Sequence, residues 1–398
     1  MFKKFLCLFL TAFTVFSLIP YNAYGNILSP GMEFIKKDVK VIKTCTYGEN
    51  ISFTKSDFYS ITNGDFDSVT IRSLPDTKCG TLKFGNLDVF AGQVISADGI
   101  EFLTFQPTVS SVSCSFDISL GCGDAKCLLY VINRENSSPV CTSFKINTAE
   151  NIPVFSRLKA DDGDGDEMEY IITSQPENGL LTFTDSAAGI FKYTPHSGFK
   201  GTDSFTYRVM DKYGNVSDIA TVTVKTSKNK SGIVYSDMSN DIAQYASLKL
   251  AESGILVGEK IGDNMYFSPS STVSRSDFVV MAMKCANYSP DIYTQTNTGF
   301  EDDTAISSYA RGYIITALNL GLPIEVSSNE KTVFSPNEPI SEYDAARITR
   351  AILSEEKGDD VLAFFDDTVI STGTFGDKGA DLNRRGAALL LNMISENK

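Results

Sequence analysis

The sequence predicts a multidomain protein in which two all-β sandwiches precede an α-helical repeat unit, and three observations carry that prediction. Up to about residue 225, apolar and polar residues alternate in short runs broken by Gly, Asp, Asn and Pro, the pattern of half-buried strands. From Tyr235 onward the apolar spacing turns helical, as in Ile242, Tyr245, Ala246, Leu248 and Leu250. Tyr235, Phe300 and Phe364 each open an aromatic-x-Asp phrase, at an interval of about 65 residues that marks an array of repeats. A chain of 398 residues has room for several domains of ordinary size.

Residues 1–25 read as an export signal. Lys3 and Lys4 form a charged start, Phe5 to Ile19 is almost wholly apolar, Pro20 interrupts it, and Ala23-Tyr24-Gly25 supplies small residues for cleavage. The apolar run is shorter than the roughly 20 residues that cross a bilayer, so no retained membrane segment is expected. The chain has 35 basic and 49 acidic residues, a net charge of -14 that loss of the two signal lysines makes more negative. Nucleic acid is excluded as a partner, because phosphate binding needs a concentrated cationic face. Beyond the signal lie Cys45, Cys79, Cys114, Cys122, Cys127, Cys141 and Cys285. In an exported chain the first six suggest disulfides, which sequence does not pair, although Cys122 and Cys127 could close a short hairpin. Cys285 falls on a predicted helix as a small buried hydrophobe.

The first sandwich is expected over 26–135, with strands such as Ser68-Val69-Thr70-Ile71-Arg72 and Ile100 to Phe105. The second, 136–226, repeats the pattern in Gly179 to Phe183, Gly189 to Tyr193, Asp203 to Val209 and Ala220 to Val224. Leu74-Pro75 leading to Gly80-Thr81-Leu82-Lys83-Phe84 parallels Gln175-Pro176 leading to Gly179-Leu180-Leu181-Thr182-Phe183, so the two modules read as diverged copies. Between strands, Asp162, Asp164 and Asp166 alternate with glycines. Three hard oxygen donors on a flexible turn suit Ca2+, with Asp161 or Asp203 assisting; the alternative is a solvated acidic turn. His196 is the sole histidine and sits in a turn beside Pro195 and Gly198, leaving no basis for a two-histidine metal motif and no catalytic residue to nominate.

Residues 227–232 form a linker, followed by repeats over 233–293, 294–357 and an abbreviated 358–398. The first repeat carries Tyr235-Ser236-Asp237, Gly254-Ile255, Phe267-Ser268-Pro269 and Val273-Ser274-Arg275-Ser276-Asp277-Phe278. The second carries Phe300-Glu301-Asp302, Tyr309-Ala310, Gly321-Leu322, Phe334-Ser335-Pro336 and Ile340-Ser341-Glu342-Tyr343-Asp344-Ala345. The third keeps Phe364-Phe365-Asp366 and Leu382-Asn383-Arg384-Arg385-Gly386-Ala387. Asp237, Asp302 and Asp366 are expected as caps of the first helices, and Ser274 and Ser341 as caps of the second. Arg275 and Arg384 would stand in first turns, where a cation opposes the helix dipole and needs another interaction to justify it.

This repeat resembles the S-layer homology (SLH) module of bacterial surface proteins. The resemblance implies that Arg275 and Arg384 grip carboxylates of an acidic, commonly pyruvylated secondary cell-wall polysaccharide, with Tyr245 or Tyr309 adding apolar contact. A solvated or carboxylate-paired arginine is the competing expectation. Departures from the family pattern are Glu342 in the arginine position of the second repeat, Ile242 or Tyr309 where tryptophan is usual, and the absence of Trp. Asp162-Gly163-Asp164-Gly165-Asp166, Pro176 to Gly179, Phe191 to Pro195 and Gly198 to Phe205 resemble the cadherin-like, Ig-like repeats of large bacterial adhesins. The resemblances together imply a secreted, noncatalytic protein of the bacterial cell wall or S-layer, anchored by its SLH modules and displaying Ig-like spacer or adhesion domains. A wall-tethered glycan-active enzyme, and a structural subunit that pairs with another surface protein, are the alternatives.

Overall fold

The computed structural model describes residues 40–62, 66–121, 123–291, 297–328, 331–353 and 380–397. The expected signal at 1–25, Cys122 and the phrase Phe364-Phe365-Asp366 lie outside the described residues.

The first sandwich is built from β1 (Lys40–Thr46), β2 (Ile51–Ser52), β3 (Ser68–Ile71), β4 (Gly80–Phe84), β5 (Leu87–Asp88), β6 (Val94–Ser96), β7 (Leu103–Pro107), β8 (Val112–Ser119) and β9 (Asp124–Ile132). One sheet has the order β1-β9-β8-β3-β6 and the other β2-β7-β4-β5. β1 runs parallel to β9, whereas β8 and β9 pair antiparallel. Strand alternation turns Val69, Ile71, Phe105, Phe116, Ile118, Leu129 and Val131 inward, all essentially inaccessible. The short helix α1 (Ser56–Thr62) adds Phe58, whose ring stacks on Phe53 with centroids 6.3 Å apart, while Phe116 meets Phe53 edge-on at 5.8 Å.

The second sandwich comprises β10 (Val140–Cys141), β11 (Phe144–Ala149), β12 (Val154–Arg157), β13 (Ala160–Asp161), β14 (Met168–Ser174), β15 (Gly179–Asp185), β16 (Ile190–Pro195), β17 (Gly201–Asp211) and β18 (Ala220–Ser227). Its sheets are β11-β18-β17-β14 and β12-β16-β15, with β10 paired to β13. Phe191, Tyr193, Phe205, Tyr207, Val222 and Val224 fill the space between the main sheets.

The phrase shared by the two modules has a shared geometry. Gly80 pairs with Pro107 and Leu82 with Phe105; Gly179 pairs with Pro195 and Leu181 with Tyr193. In each module the glycine lies under the aromatic ring of the neighbouring strand, so that a Cβ there would collide with Phe105 or with Tyr193.

The third unit contains α2 (Gln244–Glu252), α3 (Arg275–Cys285), α4 (Ser308–Asn319), α5 (Glu342–Ile352) and α6 (Arg384–Asn397). A small hairpin precedes each of α3 and α5: β19 (Glu259–Ile261) with β20 (Asn264–Tyr266), and β21 (Val326–Ser328) with β22 (Lys331–Val333). Ser274 and Ser341 cap α3 and α5 as expected, each side chain accepting an N–H at 3.1 Å, from Asp277 and Asp344. Just before the second helix of each repeat, Val273, Ile340 and Leu382 close a three-membered ring. Val273 N–H donates to Leu382 at 3.1 Å, Leu382 to Ile340 at 2.8 Å, and Ile340 to Val273 at 2.9 Å. The described parts of the three repeats therefore meet around this ring, to which the third repeat brings Leu382 just ahead of α6. Ala149 and Ile152 of the second sandwich belong to the same core as these helices, so the segment 227–232 joins two packed bodies. Among the described residues no helix is long and apolar enough to cross a membrane.

Candidate functional sites

The aromatic-x-Asp phrase works differently from the expectation. Asp237 accepts the N–H groups of Phe267 at 2.9 Å and Ser268 at 2.7 Å; Asp302 accepts those of Phe334 at 2.9 Å and Ser335 at 2.7 Å. Neither carboxylate caps an α-helix. Each instead fixes the Phe-Ser-Pro loop of its own repeat, where Ser268 and Ser335 take left-handed backbone angles of 56° and 55°. Those angles cost a β-carbon-bearing residue energy, and two charge-assisted hydrogen bonds per loop offset it.

These loops are what the arginines hold. Arg275 donates from Nε to Phe334 O at 2.9 Å and from Nη2 to Ile324 O at 2.8 Å, with its guanidinium 5.8 Å from the Phe334 ring centre. Arg384 repeats the grip one repeat away, from Nε to Phe267 O at 2.7 Å and from Nη2 to Val257 O at 3.1 Å, 4.8 Å from the Phe267 ring. The cation placed in a helix first turn is thus justified by carbonyl dipoles of a neighbouring repeat. The two arginines differ in the third nitrogen. Arg275 Nη1 pairs with Asp344 at 2.7 Å and the residue is 4 % exposed, so the expectation that it meets an external carboxylate is corrected: it is committed inside the protein. Arg384 is only partly buried, and its Nη1 has no partner among the described residues. Burial lowers the Arg384 pKa, with Tyr235, Glu259 and Asp237 opposing that effect.

Tyr245 is also corrected as a surface contact. It is 8 % exposed within the helical core, and burial pushes its phenol pKa upward. Tyr309 is 55 % exposed and lies under the Lys284 ammonium at 5.3 Å, leaving an amphipathic face on α4. Glu342, in the arginine position of the second repeat, is buried, and desolvation raises its pKa.

The acidic turn lies at the junction of the sandwiches. Carboxylate oxygens of Asp162, Asp164 and Asp166 come within 4.8 Å of one another. Asp162 Oδ1 accepts the N–H groups of Asp164 and Asp166 at 2.9 and 3.2 Å, whereas its buried Oδ2 has no partner. Ser137 N–H holds Asp164 at 2.7 Å and keeps its carboxyl below the usual range. Asn136 donates to Asp211 at 2.5 Å, and its own buried Oδ1 is also unsatisfied. The orphaned Asp162 oxygen, with the Asp164 and Asp166 carboxylates around it, fits a hard cation, which these three residues would hold. Protein cations already occupy part of this position: Lys212 pairs with Asp166 at 2.8 Å and Arg134 at 3.3 Å. The expected assistants do not take part. Asp161 is an exposed residue of β13, and Asp203 is spent on the N–H groups of Glu177 and Asn178 and on the Tyr193 hydroxyl. Sequence reading missed Arg134, Asn136, Asp211 and Lys212, whose signal was the polar boundary Asn133 to Asn136 and the turn Asp211 to Asn215. His196 is exposed in its turn.

The junction itself is packed. Tyr130 meets Tyr213 edge-on at 5.3 Å, Thr44 Oγ1 donates to Tyr213 O at 2.6 Å, and Gly214 lies against Ile42.

Comparison with known proteins supports the sandwich part of the chain. The model of the Bacterial Ig domain family matches residues 136–225. Integrin beta-like protein E of Dictyostelium discoideum is 38% identical over 80 residues, 17% of this chain and 4% of that protein; integrin beta-like protein C is 36% identical over 63 residues, 14% and 3%. The chain thus spans a small fraction of these relatives. Similar solved structures include Drosophila N-cadherin EC1-3, with 12% identity over 50% of this chain and 66% of that chain at a TM-score of 0.21. The fibronectin(III)-like modules of Clostridium thermocellum CbhA share 13% identity over 47% of this chain and 90% of theirs at a TM-score of 0.22. An endo-fucoidan hydrolase of glycoside hydrolase family 107 shares 17% identity over 48% of this chain and 28% of that chain at 0.20. Residues 136–225 of the chain are therefore similar to the bacterial Ig domain.

Proposed function

We propose that this is an exported, noncatalytic surface protein whose helical unit holds it to an acidic secondary cell-wall polysaccharide, in the manner of SLH modules, while the Ig-like sandwiches project as a spacer or adhesive display. The observation that carries the reading is the ring of Val273, Ile340 and Leu382, beside which Arg384 stands at a Phe-Ser-Pro loop with one nitrogen that has no partner among the described residues. A planar guanidinium with a free donor suits a polymer carboxylate. The contact is expected at Arg384, with Tyr309 contributing on α4 if the polymer reaches that face, and not at Arg275.

The test is sedimentation of the purified protein with isolated wall sacs. Arg384→Ala is expected to weaken retention by about tenfold or more, the worth of one charge-assisted hydrogen bond. Full retention by a folded Arg384→Ala protein would rule out that residue as the contact. Retention of the sandwiches alone, with no contribution from residues 233–398, would defeat the anchoring role.

We further infer that Ca2+ serves the acidic junction, displacing Lys212 and Arg134 from Asp166 and stiffening the two sandwiches against each other. Calcium at about a hundred times its Kd would then stabilise the protein by about 2.7 kcal/mol. Thermal unfolding with added Ca2+ or with chelator checks this: Asp162→Asn should lose the response, and an unchanged wild-type Tm would leave the turn to its protein cations.

A further inference from the structure

We propose that Cys79 and Cys114 form a disulfide that pins the two sheets of the first sandwich together. Cys79 immediately precedes β4 in one sheet, and Cys114 lies on β8 in the other. On β8, Cys114 has the same parity as Phe116 and Ile118, whose side chains are buried between the sheets, so it too turns inward. Cys79 is 8 % exposed on the opposing side of that interior. The backbone brings the pair together: Cys79 O accepts Thr108 N–H at 2.9 Å, and the chain turns through Ser111, at φ 54°, directly into β8. Both thiols are free in this structure, and Cys79 lies near enough to Cys114 to help raise its pKa.

The other described cysteines are placed elsewhere. Cys45 pairs with Val131 and Cys127 with Val41, which sets these two thiols apart along the β1–β9 ladder. Cys141 Sγ contacts Ser217 Oγ at 3.0 Å in the second sandwich, and Cys285 is buried among the helices.

The bond forms by exchange with a low-molecular-weight disulfide such as oxidised glutathione. One protein thiolate attacks it, forming a mixed disulfide and releasing one small thiolate. The second protein thiolate then attacks the protein sulfur of that mixed disulfide and releases the other. Both cysteines are oxidised, the small disulfide is reduced to two thiols, and the two protons pass to those thiols. Burial, reinforced by Cys79 and Asp76, pushes the Cys114 thiol up to about 12, so closure is expected to be slow at neutral pH and to quicken as pH rises.

The experiment treats the full chain with oxidised glutathione, blocks remaining thiols by alkylation under denaturing conditions, digests without reduction, and maps linked peptides by mass spectrometry. The expected product is a peptide pair joining Cys79 to Cys114, lighter than the two thiols by two hydrogens and absent from Cys79→Ser and from Cys114→Ser. Reduction of the wild-type protein should lower the unfolding temperature of the first sandwich by several degrees. Recovery of both cysteines in alkylated form, or a bridge from either one to Cys122 or Cys127, overturns the proposal. Because the decisive map is made on the wild-type chain, a serine variant that fails to fold does not obscure it.

Discussion

Arg275 and Arg384 occupy the same place in their repeats and reach corresponding pairs of carbonyls, yet only one is fully committed. The Arg275 side chain is 5% exposed and satisfies two carbonyls and Asp344. Arg275→Ala would strand that carboxylate and those carbonyls, a loss expected at about 3 to 5 kcal/mol in urea unfolding followed by circular dichroism. Arg275→Lys should recover only part of this, since a single ammonium cannot reach three acceptors in a fixed fork. Asp302→Ala removes two hydrogen bonds to a charged group and is expected to cost about 2 kcal/mol or more by the same measurement. Sequence located these residues but misjudged two of their roles. A cap and a loop clamp both call for a short acceptor beside a turn, and the N–H groups that Asp237 accepts lie 30 and 31 residues further along the chain.

Helix α5 and strands β4 and β15 show how one residue sets the tolerance of an element. Glu342 begins α5 in a buried position that raises its pKa through desolvation. A carboxyl whose folded pKa is raised destabilises the fold when ionised. That penalty is full above the folded pKa, shrinks as pH falls through it, and vanishes below the ordinary glutamate value. Glu342→Gln should therefore raise the Tm at neutral pH and lose its advantage in acid, as a pH series of melting curves would reveal. In the strands, Gly80→Ala and Gly179→Ala drive a methyl into Phe105 and Tyr193, each at a cost of about 1 to 3 kcal/mol from overpacking. Equal sensitivity at the two glycines, measured by denaturant unfolding, would be the energetic counterpart of their shared register. The repeated Pro-to-Gly phrase made this equivalence legible beforehand, because a close backbone approach demands glycine wherever the module is copied.

At the scale of the molecule, the change from strand to helix period and the repeat starts at Tyr235 and Phe300 were readable because each reflects local burial. The junctions were not. Arg134, Asn136 and Lys212 look like ordinary surface polar residues until folding brings the first sandwich's end and the β17–β18 turn to one acidic site. Around the linker, Lys230 N–H reaches Glu252 at 3.0 Å, and Ala149 and Ile152 enter the helical core, contacts that composition does not announce. The route of the chain through the repeats has a kinetic consequence. Arg384 holds carbonyls 117 and 127 residues earlier, Arg385 reaches Asp241 across 144, and Val273 finds its hydrogen-bond acceptor only in Leu382. A helical body usually folds quickly through neighbouring contacts, and these long-range closures would slow its completion. Its first repeat cannot complete these contacts until α6 has left the ribosome, so the unit closes only once its last helix is made.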